Sequence, residues 1–103
     1  MAYRALEKII NLYDGYCQPF QVDGKPLLLV QDGNKPYLLL NRCPHMDARM
    51  DSASIDAGSI RCPVHGIQFN LESGVAVGPL ASCLKQLQKL PLVYEGSSVG
   101  VDL

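Results

Sequence analysis

The stretch CPHMDARMDSASIDAGSIRCPVHG, from Cys43 to Gly66, holds both histidines of the chain. Each lies beside a cysteine, as Cys43-Pro44-His45 and Cys62-Pro63-Val64-His65, with sixteen residues between the two clips. A single Cys–His neighbourhood is an ordinary accident of composition. Two clips with the same Cys-Pro opening, and no histidine left over, form a donor set. Cysteine offers a soft thiolate and histidine a borderline imidazole nitrogen, so the shared target is zinc, copper or an iron–sulfur cluster. The proline after each cysteine restricts the backbone before metal arrives, which lowers the ordering cost of binding.

The rest of the chain sets the frame for these clips. Its 103 residues, 48% hydrophobic and 18% charged, suit one globular domain spanning 1–103. A net charge of −1 with no basic cluster argues against nucleic acid or an anionic membrane surface as partner. The longest aliphatic runs, Leu27–Val30 and Leu38–Leu40, are far too short to span a bilayer. The opening MAYRALEKIINLYDG scatters charges and shows no apolar signal core, so a soluble, cytoplasmic protein is expected. That compartment disfavours a disulfide framework. Cys17 and Cys83 read as small buried apolar residues.

Period-two patches and turn signals dominate the pattern. GYCQPFQV, KPLLLVQ and KPYLLLN read as strands joined at Asp23-Gly24 and Asp32-Gly33-Asn34. Pro26 and Pro36 open their strands, where a missing N–H costs little. IQFNLESGVAVGP reads as strand, turn at Glu72-Ser73-Gly74, and strand; VYEGSSVGVDL closes as a hairpin turning at Glu95–Ser98. AYRALEKIINL suits either a short helix or an edge strand. PLASCLKQLQKLPL, with leucines at 80, 84, 87 and 90, keeps a helix open as an alternative to extended chain. The sum is an all-β domain of antiparallel sheets.

The clips resemble the ligand pattern of Rieske-type [2Fe–2S] proteins, Cys-x-His, a gap, then Cys-x-x-His. CPH, IRCPVHG, the GxxF of Gly66–Phe69, a hairpin with Gly74 and the Gly78-Pro79 pair all lie where small Rieske ferredoxins carry them. The resemblance implies a base of antiparallel sheets plus a small cluster-binding subdomain over about 41–79, built on the loops Asn41–Met50 and Arg61–Ile67. It implies Cys43 and Cys62 on one iron, His45 and His65 on the other, and Pro79 in a third loop beside the cluster. Asp47 and Arg49 replace residues more usual in the family, but no ligand of the pattern is lost.

Two neutral imidazoles in place of two thiolates raise the potential from about −400 mV to about −150 to +300 mV. High-potential members of the family join the loops by a disulfide and place serine and tyrosine hydroxyls near the cluster. Here Ala48 and Val64 stand at the disulfide positions, and Ile67 and Phe69 at the hydroxyl positions. Hydroxyl donors favour the more negative, reduced state. Their loss sets the expected midpoint at roughly −200 to −50 mV.

Both histidines are committed to the cluster, so no mononuclear oxygenase iron can be built and no catalytic residue is assigned. The resemblance therefore implies an electron carrier, a monomer passing electrons from a flavin-containing NAD(P)H ferredoxin reductase to a terminal oxygenase. Pro44, Met46, Met50, Pro63 and Val64 are expected to form an apolar collar for docking. Two alternatives stay open: the small Rieske-like subunit of an assimilatory nitrite reductase, and a structural zinc module.

Overall fold

Four consecutive residues, Leu27 to Val30, are all fully buried. A strand does this only when both of its faces are covered, because successive side chains point to opposite sides. They lie on β3 (Lys25–Asp32), which runs between β2 (Cys17–Val22) and β4 (Lys35–Leu40); β4 pairs in turn with β8 (Lys89–Leu90). The computed structural model describes residues 2–44, 49–63, 66–78 and 85–103. Two three-stranded sheets complete it. In one, β10 (Ser98–Asp102) lies between β1 (Tyr3–Lys8) and β9 (Val93–Glu95); in the other, β6 (Ser59–Arg61) lies between β5 (Ser54–Asp56) and β7 (Gln68–Asn70). Every pairing is antiparallel.

The alternation along β3 and β4 divides the interior into two cores. Leu27, Leu29 and Leu38 pack with Tyr16, Val99 and Val101, which ties the four-stranded sheet to the β1-β10-β9 sheet. Leu28, Val30, Tyr37 and Leu39 face the other way, onto Ile60, Phe69 and Leu71 of the small sheet and its turn. Both clip cysteines belong to this second core.

The hairpins expected at Asp23-Gly24, Asp32-Gly33-Asn34 and Glu95–Ser98 are present. Asp23 and Gly24, with φ of 49° and 80°, make the left-handed two-residue turn that suits the twist of β2 and β3. Pro26 and Pro36 are the second residues of β3 and β4. Pro19 sits mid-strand in β2, an edge strand that can spare its N–H. At the N-terminus the strand reading holds: β1 pairs with β10, and a 3₁₀ turn follows at Ile9–Asn11. That pairing needs Gly100, since a Cβ there would lie 2.0 Å from the Arg4 carbonyl oxygen.

Other expectations change. The hairpin β5–β6, turning at Ala57-Gly58, was not anticipated. Its strands are three residues long with one central apolar side chain each, too little pattern to read. The strand expected after Gly74 reduces to a single bridge between Phe69 and Ala76. Of the segment that suited a helix, residues 79–84 lie outside the described residues; 85–88 are irregular and lead into β8.

Candidate metal centre

Strand β4 ends at Leu40, and Asn41 and Arg42 carry the chain to Cys43. Strand β6 ends at Arg61 and delivers Cys62 directly. The two sheets are packed together through the second core, so two cysteines nineteen positions apart in sequence enter one apolar cluster, 0% and 1% exposed.

The second clip is closed by its own backbone. The Cys62 N–H donates to the Ile67 carbonyl at 2.9 Å, and the Gly66 N–H donates to the Cys62 carbonyl at 2.9 Å. Gly66 takes a left-handed φ of 69°, which glycine adopts without strain. The Arg61 guanidinium donates to the Gly66 carbonyl at 2.7 Å, laying a side chain across the mouth of the turn.

A side chain ties together the two ends of the loop Asn41–Met50. Asn41, 1% exposed, accepts from the Met50 N–H at 2.7 Å through Oδ1 and donates to Asp51 Oδ1 at 2.6 Å through Nδ2. Asp51 is also gripped by Arg49, from Nε at 3.2 Å and from the terminal nitrogen at 2.7 Å. These bonds, Asn41's first and Arg49's second, hold the Asp51 carboxyl below its usual range. Cys17 reaches the same segment from β2 and donates its thiol to the Asp51 carbonyl at 3.4 Å. Burial, and secondarily the Asp51 charge, push that thiol up to about 11, so it stays a donor at neutral pH.

The donor chemistry fits an iron–sulfur group. Two thiols in a dry, apolar setting, on loops already tied at their ends, suit soft metal ions that neutralise thiolate charge. His45 and His65 lie outside the described residues, as do Met46, Asp47, Ala48, Val64, Pro79 and Cys83. Among the described residues no three His, Cys, Asp or Glu side chains converge.

Comparison with known proteins gives the family. Residues 5–90 match the Rieske [2Fe–2S] domain. The chain belongs to the Rieske [2Fe–2S] family. Its cofactor is one Rieske-type [2Fe–2S] cluster. The ferredoxin component of the naphthalene 1,2-dioxygenase system of Pseudomonas aeruginosa is 32% identical over 82 residues, covering 80% of this chain and 77% of that one. Apoptosis-inducing factor 3 of Homo sapiens is 31% identical over 64 residues, 62% of this chain; the match spans only 11% of that longer protein. Among solved structures, the ferredoxin of carbazole 1,9a-dioxygenase from Nocardioides aromaticivorans IC177 superposes with a TM-score of 0.83 at 25% identity, covering 98% and 97% of the two chains. A carbazole 1,9a-dioxygenase ferredoxin in complex with its reduced oxygenase shares the fold, with a TM-score of 0.80 at 22% identity over 93% and 97%.

Within this Rieske domain one expected collar residue is misplaced. Met50 is fully buried in the second core, not on a docking surface. Its N–H donates to the buried Asn41 Oδ1, and its side chain belongs to the cluster that includes Leu28, Ile60 and Phe69. Of the other collar positions, Pro44 is half-buried and Pro63 exposed. Phe69 is fully buried and Ile67 packs at the core's edge, so apolar groups occupy both hydroxyl positions. Cys17 is half-buried and hydrogen-bonded, not merely a small core residue. Neither Asn41 nor the Arg49–Asp51 pair was legible as part of the site. An asparagine two residues before a cysteine carries no spacing signal of its own.

No helix among the described residues is long and apolar enough to cross a membrane.

Proposed function

We propose that this Rieske domain is a monomeric one-electron carrier of the cytoplasm. In this reading a flavin-containing NAD(P)H ferredoxin reductase supplies the electrons and a terminal oxygenase receives them. Cys43 and Cys62 hold one iron and His45 and His65 the other. The observation that carries the reading is the arrival of Cys43 and Cys62 in one buried cluster on two separately closed loops. The ferredoxin components among its relatives, and the ferredoxin–oxygenase complex that shares its fold, support the same assignment.

When bound, the cluster accepts and returns a single electron at a potential raised by its two neutral imidazole ligands. The chain does the rest. Cys43 and Cys62 act as thiolates, and burial keeps water from them. In this reading the hydrogen bonds that join the ends of both loops limit how far the loops can relax when the charge between them changes. Pro63 offers an apolar contact for a visiting protein, and a small docking face suits short-lived redox encounters.

Iron and sulfide analysis combined with low-temperature EPR of the reduced protein tests this reading. A [2Fe–2S] stoichiometry with the signal of mixed Cys and His ligation is expected. An iron-free or zinc-loaded native protein, or a spectrum of all-sulfur ligation, overturns it. Pro63→Glu is expected to slow electron delivery to the oxygenase without altering the visible spectrum.

A further inference from the structure

Asn41 is a buried polar residue whose side-chain bonds among the described residues both go to the far end of the loop it opens. Its own N–H donates to the Pro26 carbonyl at 2.8 Å, which anchors it to the start of β3. From that anchor its carboxamide presents an acceptor and a donor side by side, as a peptide group does. The acceptor takes the Met50 N–H at 2.7 Å and the donor reaches Asp51 Oδ1 at 2.6 Å. Residues nine and ten positions later in sequence are thus stapled to the residue two before Cys43. Arg49 locks Asp51 from outside, and the Cys17 thiol holds its carbonyl from β2.

We propose that Asn41 is a positioning residue for the cluster. Its carboxamide closes the loop that carries Cys43 and His45 and so fixes the ligand geometry against relaxation when the oxidation state changes. The inference rests on the ligand assignment proposed above. Asn41 touches neither iron nor sulfide in this scheme; it acts through the two ends of the loop. Outer residues that orient metal ligands affect metal retention by about 10- to 100-fold when removed.

The test uses the holoprotein. Asn41→Ala is compared with Val99→Ala, a truncation in the core that contains neither clip cysteine. Asn41→Ala is expected to release iron to a chelator about 10- to 100-fold faster than wild type. It should also broaden the EPR signal of the reduced cluster and shift the midpoint potential. Val99→Ala should lower the melting temperature without moving either spectroscopic readout. A second pair guards against a variant that fails to fold. Asn41→Asp keeps the size and the acceptor for Met50, but sets a carboxylate against Asp51 and should also lose iron quickly. Adding Asp51→Asn restores one donor between the two side chains and should return release to within about threefold of wild type. Native EPR, potential and release in Asn41→Ala overturn the proposal, as does failure of the double variant to recover. A wild type without a mixed-ligand signal overturns the ligand assignment itself, and is recognised before any variant is compared.

Discussion

The two faces of β3 lead into interiors of different character. On one side Leu27 and Leu29 meet Leu38, Val99, Val101 and the ring of Tyr16, a largely hydrocarbon interior. On the other, Leu28 and Val30 share their core with two cysteines and Met50, and a buried asparagine lies at the entrance to the first clip. The first core needs only tight packing. In the proposed assignment the second must also hold two loops at a set distance for a ligand, and directional hydrogen bonds from Asn41 tie the ends of one of them. Packing tolerates small adjustments, whereas a buried amide with fixed partners does not. One strand therefore separates a core of aliphatic packing from one that also carries both clip cysteines.

Removing a thiol breaks this division most sharply. Cys43→Ser or Cys62→Ser is expected to abolish iron binding and visible colour while the far-UV circular dichroism of the sheets persists. Wild-type iron content in either variant would show that the ligand is misassigned.

Leu29→Ala and Leu28→Ala come next, because they cut equivalent volumes from opposite faces of one strand. Each should cost about 2–5 kcal/mol in urea unfolding. Only Leu28→Ala should also speed iron release to a chelator. Equal release rates would mean that the two cores are not distinct in function.

A smaller effect concerns the potential. Voltammetry of the wild type should give a midpoint between roughly −200 and −50 mV, and a value above about +100 mV contradicts the reading. Ile67→Ser should raise the midpoint by about 60 mV if its hydroxyl favours the reduced form by about 1.4 kcal/mol. The same change at Val101, in the other core, should leave the potential unaltered.

The smallest effect compares two carboxylates, one at the margin of each core. Glu7 is held below the usual range by Asn11, then by the Tyr16 hydroxyl and the Lys8 N–H. Asp51 is held low by Asn41 and Arg49. A carboxyl depressed in the folded state contributes stability that is complete above the unfolded value of about 4 and is lost as pH falls through the lower folded value. Both carboxylates are partly open to solvent, which screens their partners, so Glu7→Gln and Asp51→Asn should each cost only about 0.5 kcal/mol at pH 7. In both, the gap to wild type should close below about pH 4, as read from urea midpoints across the range. Only Asp51→Asn should alter iron release.

Much of the strand framework is legible in the sequence. The unbroken aliphatic run at 27–30, the Asp23-Gly24 turn and the closing hairpin are local patterns, set by neighbours within a few residues. The two clips stand out in the sequence for the same reason, since each is a cysteine and a histidine two or three positions apart. The second core is less legible. Nothing near Met50 distinguishes an inward methionine from an exposed one; the decision belongs to Asn41, nine residues earlier. The pairing of β4 with β8 joins Leu38 to Leu90 across fifty-two positions, with only two residues of strand to announce it.

The amino-acid order alone determined that this chain is all-β and offers two thiols and two imidazoles at the spacing of a Rieske centre, because turn chemistry, side-chain alternation and clip spacing act over short range. Only the tertiary structure decided which face of β3 houses the cysteines, that Met50 packs inward, and that Asn41 staples the first loop. Those outcomes depend on contacts between residues distant in sequence, whose burial and hydrogen bonds come into being only when the sheets close on one another.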